Sequence, residues 1–184
     1  MSAPRLRRTD RVMSDARITE LLANGFCGRL ATVGEDGGPY CVPLLYVWLD
    51  GEVYVHNTGA PGHLRTNVEH EARVCFEIDE PGKVFDYGRF ECDSSVSYRS
   101  VIVFGRARIV TEPAAKQRFC EALMAKYRKA GAERPKGFFP RIGEITVYAI
   151  AVDRMSGKEL ALPEVSQQWP AVDMTKSPHA QAPT

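Results

Sequence analysis

Along this chain, apolar and polar positions alternate with period two over several stretches and switch to helical spacing at three places. Ser14 precedes Ile18, Leu21 and Leu22 on one helical face, and Gly25 follows Asn24. That spacing predicts a capped helix over 14–24 with the glycine as its stop. Phe26 to Val33 then alternates, Glu35-Asp36-Gly37-Gly38 reads as a turn, and Pro39 to Trp48 as the returning strand, bent or at an edge where Pro43 lacks a donor. Asp50-Gly51 turns the chain into a third strand, Glu52 to His56, and Leu64 and Val68 mark the inner side of a short helix after Gly62.

Ala72 to Asp79 reads as a fourth strand closed by a Glu80-Pro81-Gly82-Lys83 turn, and Phe85 to Val96 as loop with some extended structure. The fifth strand, Ser97 to Val110, contains Gly105, which marks a bulge of the kind that lets a sheet curl. Thr111 is the expected cap of a helix with Pro113 in its first turn and Phe119, Leu123, Met124 and Tyr127 as its apolar set, ending by Gly131. Glu144 to Asp153 is apolar on both faces, as a centrally buried strand requires. Six antiparallel strands with flanking helices predict an α+β, mainly β chain built on a small barrel. The expected organisation is a basic leader over 1–13, one domain over 14–162 and a polar, Pro-rich tail over 163–184, in which Trp169 is the group able to dock.

Composition narrows the partners. With 184 residues the chain supports one well-buried core, and 24 basic against 23 acidic side chains leave a net charge of +1, so no global field draws it to nucleic acid or an anionic membrane. The five cysteines form no C-x-x-C pair and fall mostly in apolar patterns, which fits a reducing, cytoplasmic setting without structural disulfides. No run of about 18 apolar residues predicts a membrane span.

Candidate chemistry concentrates between Val53 and Asn67. There an alternating strand runs into His56, then Thr58, a Gly/Pro turn, Gly62, and the basic pair His63 and Arg65 at the start of a helix. Glycine backbone and cationic side chains at a helix N-terminus suit a phosphate. The bland alternatives are a satisfied histidine at position 56 and a solvated basic face at 63 and 65. A metal site is not supported, because His63 and His70 stand two turns apart, about 10.5 Å in rise.

Several blocks, in order, resemble the FMN-binding split barrel of the pyridoxamine 5′-phosphate oxidase-like family, and within it the nitroimidazole-resistance branch. They are Gly28-Arg29-Leu30-Ala31-Thr32-Val33, Pro39-Tyr40 with Pro43-Leu44, Val53-Tyr54-Val55-His56 with Gly62-His63-Leu64-Arg65-Thr66-Asn67, Tyr98-Arg99-Ser100-Val101 running on through Gly105 to Ala107, Val147-Tyr148, and Asp153-Arg154-Met155-Ser156-Gly157-Lys158-Glu159. The resemblance implies a six-stranded antiparallel split β-barrel and a homodimer holding FMN at the subunit interface. It further implies an FMN-dependent oxidoreductase acting on a small molecule with a separate electron donor, nitroaromatic reduction included.

By the same resemblance His56 is the catalytic residue, and Arg29, Ala31, Thr32, Val33, His56, Thr58, Gly62, His63, Arg65, Asn67, Tyr98, Arg99, Ser100 and Val101 border the cofactor. Many relatives carry Lys or Arg where this chain has His63, which makes phosphate binding here weaker or pH-dependent. A non-catalytic module holding flavin or haem, or a barrel holding a deazaflavin, remains open on the residues alone.

Overall fold

The computed structural model describes residues 7–128 and 135–181. Its helices are α1 (Asp15–Asn24), α2 (His63–His70) and α3 (Pro113–Tyr127), and its strands are β1 (Gly28–Val33), β2 (Pro39–Leu44), β3 (Tyr46–Leu49), β4 (Glu52–Thr58), β5 (Arg73–Asp86), β6 (Ser94–Val110) and β7 (Ile145–Leu160). All seven strands form one antiparallel sheet in the order β2-β1-β5-β6-β7-β4-β3. The fold is the expected α+β split barrel with seven strands rather than six, because Pro39 to Trp48 divides. β2 ends at Leu44, just past Pro43, and only Leu45 separates it from β3. Those two strands are the opposite edges of the sheet, so a single residue joins them only if the sheet curls until its edges meet.

Two β-turn and bulge positions show why. Asp50 and Gly51 both take positive φ, 54° and 80°, the geometry of a tight hairpin turn between β3 and β4. At Gly105 the β6/β7 register slips, leaving Asp153 as the extra residue, and a Cβ on Gly105 would lie 2.2 Å from the Ala151 carbonyl oxygen. The bulge deepens the curl where the sheet closes.

Period-two alternation gives the sheet two faces. The inner face packs Leu30, Phe76, Ile78, Val101, Val103, Tyr148 and Ile150 against Ile18, Leu21 and Leu22 of α1, all essentially inaccessible. On the outer face α3 covers β3, β4 and the start of β7, where Val47, Tyr54, Val147 and Ala149 meet Phe119 and Leu123. β7 is therefore apolar on both faces for a stated reason: it lies between two cores.

Several boundaries differ from the reading of the sequence. Glu80-Pro81-Gly82-Lys83 is not a turn but an irregularity inside β5, which runs on to Asp86 while β6 begins at Ser94. The two strands thus project a hairpin arm past the barrel. β7 continues seven residues beyond Asp153, to Leu160. Glu112 rather than Thr111 precedes α3, without a side-chain cap, and the predicted stop at Gly131 lies outside the described residues. Gly25 ends α1 at φ −58°, so positive φ is not its role; a Cβ there would meet the Tyr46 hydroxyl at 2.8 Å. Ser14 does cap α1, accepting from the Arg17 amide.

Met13 is buried and donates its amide to the Gly157 carbonyl. The tail returns along the arm: the Trp169 amide donates to Asp86, Met174 to Tyr87, and Lys176 to the buried Asp93 carboxylate. No helix among the described residues is long and apolar enough to cross a membrane.

Candidate functional site

The alternation of β4 separates the residues that the sequence placed together. His56 pairs with Val147 and lies on the outer face, its ring 5.4 Å from that of Phe119 on α3. Thr58, two residues on, shares that face and is exposed. Asn57 points the other way, where its side-chain oxygen accepts a hydrogen bond from the Tyr148 hydroxyl at 3.2 Å. His56 is half-buried, and its Nδ1 is fully enclosed without a hydrogen-bond partner. Burial lowers its pKa below the ordinary 6.5, so the imidazole is neutral at pH 7.

The mouth of the barrel is built around α2. Gly62 precedes the helix without a side-chain cap, and the first helical bond is Thr66 amide to Gly62 carbonyl, so the amides of His63, Leu64 and Arg65 have no partner within the helix. Nothing lies within 4 Å of where a Gly62 Cβ would be, so this N-terminus opens to space. His63 stacks on Tyr40 of β2 with ring centroids 5.4 Å apart. Arg65 pairs with Glu69 at 2.8 Å. Burial pushes the Tyr148 phenol above its ordinary pKa, while the bond to Asn57 and the positive charge of Arg65 pull it back. Asn67 and Thr32 are buried and face each other, the Asn67 amide donating to the Thr32 hydroxyl at 3.0 Å, which fastens α2 to β1. Leu64 and Val68 complete that attachment in the inner core.

The remaining candidates lie elsewhere. Arg29, Ala31 and Val33 occupy the outer face of β1, where the Arg29 guanidinium bridges Glu77 at 2.8 Å and Asp79 at 2.6 Å. Tyr98, Arg99, Ser100 and Val101 pair with Leu160, Glu159, Lys158 and Gly157, about 33–43 Å of strand away from the His56 partner Val147. Arg99 is held by Glu80 at 2.5 Å and by Glu20 at 3.4 Å, and Val101 is an inner-core residue. One chain thus brings together Thr32, Gly62, His63, Arg65 and Asn67, sets His56 and Thr58 across the sheet from them, and leaves 98–101 at the far end. Tyr40, Asn57, Tyr148 and Phe119 also belong to these surroundings. Of these, Pro39-Tyr40 and Val147-Tyr148 belong to the blocks that carry the family resemblance and Phe119 to the expected apolar set of the third helix, while Asn57 looks like an ordinary strand residue until the register is known.

A cleft of about 1060 Å³ lies between Met124 and Ala125 on the outward side of α3 and Phe138 and Phe139. His56 meets Phe119 on the opposite side of that helix, so cleft and imidazole are separate. No group of three or more metal-ligating side chains occurs among the described residues.

Solved structures share this fold. A FAD and heme binding protein from Mycobacterium smegmatis superposes with a TM-score of 0.69 at 24% identity, over 82% of this chain and 74% of that one. A candidate 5-nitroimidazole antibiotic resistance protein from Bacteroides thetaiotaomicron gives 0.66 at 20% identity, over 80% and 85%. A FAD-binding protein from Mesorhizobium loti gives 0.60 at 23% identity, over 82% and 98%. No curated protein sequence matches the chain. The family model described as pyridoxamine 5′-phosphate oxidase matches residues 14–159, from the cap of α1 to the last residues of β7, and the chain belongs to that family.

Proposed function

We propose that this protein is an FMN-dependent oxidoreductase that acts on a small molecule, nitroaromatic compounds included, as a homodimer with a separate electron donor. The observation that carries the reading is the uncapped α2 N-terminus, open above Gly62 and flanked by His63 and Arg65. Unpaired amides, the positive end of the helix and a guanidinium are the donor set that a phosphate monoester requires. The residues present therefore fit the phosphate of FMN: the amides of 63–65 and the Arg65 side chain would hold it, and Tyr148 and Asn57 would brace the adjoining wall. When bound, the flavin supplies two-electron redox chemistry.

His56 is the group suited to proton handling, since it is neutral at pH 7 and its Nδ1 makes no hydrogen bond within the chain. The family match supports the reading, and the nitroimidazole-resistance relative supports the substrate class. A second reading, a flavin- or haem-binding module without turnover, draws on the same unpaired His56 nitrogen and on the haem-binding relative.

An absorption spectrum tests both. The proposal expects flavin bands in the purified protein or after addition of FMN, and bleaching on reduction that a nitroaromatic compound reverses. A Soret band, or flavin bands that no acceptor reoxidises faster than free FMN, would favour the second reading.

A further inference from the structure

We infer that the tip of the β5–β6 arm, residues 86–93, is a seat for a peptide held through its main chain. Residues 169–178 of the same chain are its occupant, and they leave and return while the barrel stays closed. This goes beyond the flavin reading and does not depend on it. The family match ends at Glu159, so the segment from Trp169 onward lies outside the matched fold.

The contacts are mostly those of backbone. The Trp169 amide donates to the Asp86 carbonyl at 3.0 Å and the Met174 amide to the Tyr87 carbonyl at 2.7 Å, while the Lys176 amide donates to the Asp93 carboxylate at 3.3 Å. In return the Arg89 amide donates to the Thr175 hydroxyl at 3.1 Å, and the Arg89 guanidinium to the Pro178 carbonyl at 3.1 Å. Main-chain bonds of this kind give a peptide its affinity, and side-chain seats give the choice of peptide. Here the choice falls at two places. The Lys176 ammonium lies 4.5 Å from the centroid of the Tyr87 ring, and Gly88 is buried so close to the tail that a Cβ on it would stand 2.7 Å from the Thr175 Cα. The seat therefore fits a segment that carries a lysine just past its main-chain anchor, and admits that segment only over a glycine.

Two observations make the occupant removable. The hydrogen bonds that leave the described tail from Trp169 onward end on residues 86–93, and those residues stand at the end of an arm that projects past the barrel. Opening such a unit exposes little of either core, so it belongs to the low end of the free energies at which a protein opens locally. Departure removes one support from a buried charge: the Asp93 carboxylate, 2% exposed, gives up the Lys176 amide and keeps the Phe90 amide at 3.3 Å. Water reaches the freed oxygen once the tail has gone, so release leaves no enclosed charge unpaired.

The test is hydrogen exchange on the full chain, followed by peptide uptake. In the wild-type protein the amides of Trp169, Met174 and Lys176 should exchange at one common rate, at least about 10-fold faster than those of β4 and β7. Met174→Pro, which removes the amide that meets Tyr87, should bring the tail to the exchange of a free peptide and leave β4 and β7 unchanged. The emptied seat should then take up a fluorescently labelled synthetic peptide of residues 166–181, read by anisotropy. Wild-type protein, its seat filled, should take up far less, and Gly88→Val, whose side chain meets Thr175, none. Tail amides that exchange no faster than those of β7, or a Met174→Pro tail that stays protected, overturn the inference. So does an emptied seat that ignores the peptide, or uptake that Gly88→Val leaves undiminished.

Discussion

The two faces of the same strands have different tasks. On the inner face, Phe76 is fully buried against Tyr46, with ring centroids 5.0 Å apart, and Leu30, Val101 and Ile150 are as inaccessible. On the outer face, one residue away along each strand, stand the half-buried His56, the Arg29 ion pairs and the exposed Ile102. The lesson is that period two lets a barrel keep a dry interior while its exterior carries contacts and chemistry, so substitutions one position apart should fail in different ways.

The largest effect belongs to the interior. Phe76→Ala should lower unfolding stability by about 3–5 kcal/mol, read from the denaturant midpoint, because the ring's contacts leave a cavity that the curled sheet closes poorly. Next comes the buried polar tie between α2 and β1. Thr32→Val should cost about 1–3 kcal/mol, since the enclosed Asn67 amide loses its acceptor. It should weaken FMN binding as α2 loosens, whereas Phe76→Ala should act on stability first.

A pH effect separates a third environment from both. Lys126 lies under the Tyr46 ring, 3.7 Å from its centroid, with no hydrogen-bond acceptor, and burial lowers its pKa to about 8. The folded chain thus releases this proton before the unfolded chain, whose lysine titrates near 10.5, so the penalty of the buried charge is present below about 8 and disappears as pH rises toward 10.5. Wild-type melting temperature should accordingly rise relative to Lys126→Met across that window. A constant difference between the two would show that contact with the tyrosine ring holds the amine charged despite its burial.

Much of this was legible in the sequence because alternation and turn residues are local. Asp50-Gly51, the Ser14 cap and the bulge at Gly105 follow from single residues and their conformational needs. What stayed hidden depends on pairing at a distance. The Pro81-Gly82 irregularity looks like a turn because nothing local reveals that Val84 finds Val96 across the ladder. Likewise His56, Thr58, His63 and Arg65 form one cluster in sequence but two in space, because β4 sends alternate side chains to opposite faces and α2 follows only one of them.

The smallest stability effect should come from Arg65→Ala, whose pair with Glu69 lies at the solvent-screened surface and contributes little to folding. Its effect on ligand binding should be much larger, and that contrast leads to the most direct measurement of the central claim. Fluorescence titration should show FMN binding at least about 10-fold tighter than riboflavin, with Arg65→Ala removing most of the difference. Equal affinity for the two flavins, or a preference for FMN that survives Arg65→Ala, would contradict a phosphate seat at the α2 N-terminus.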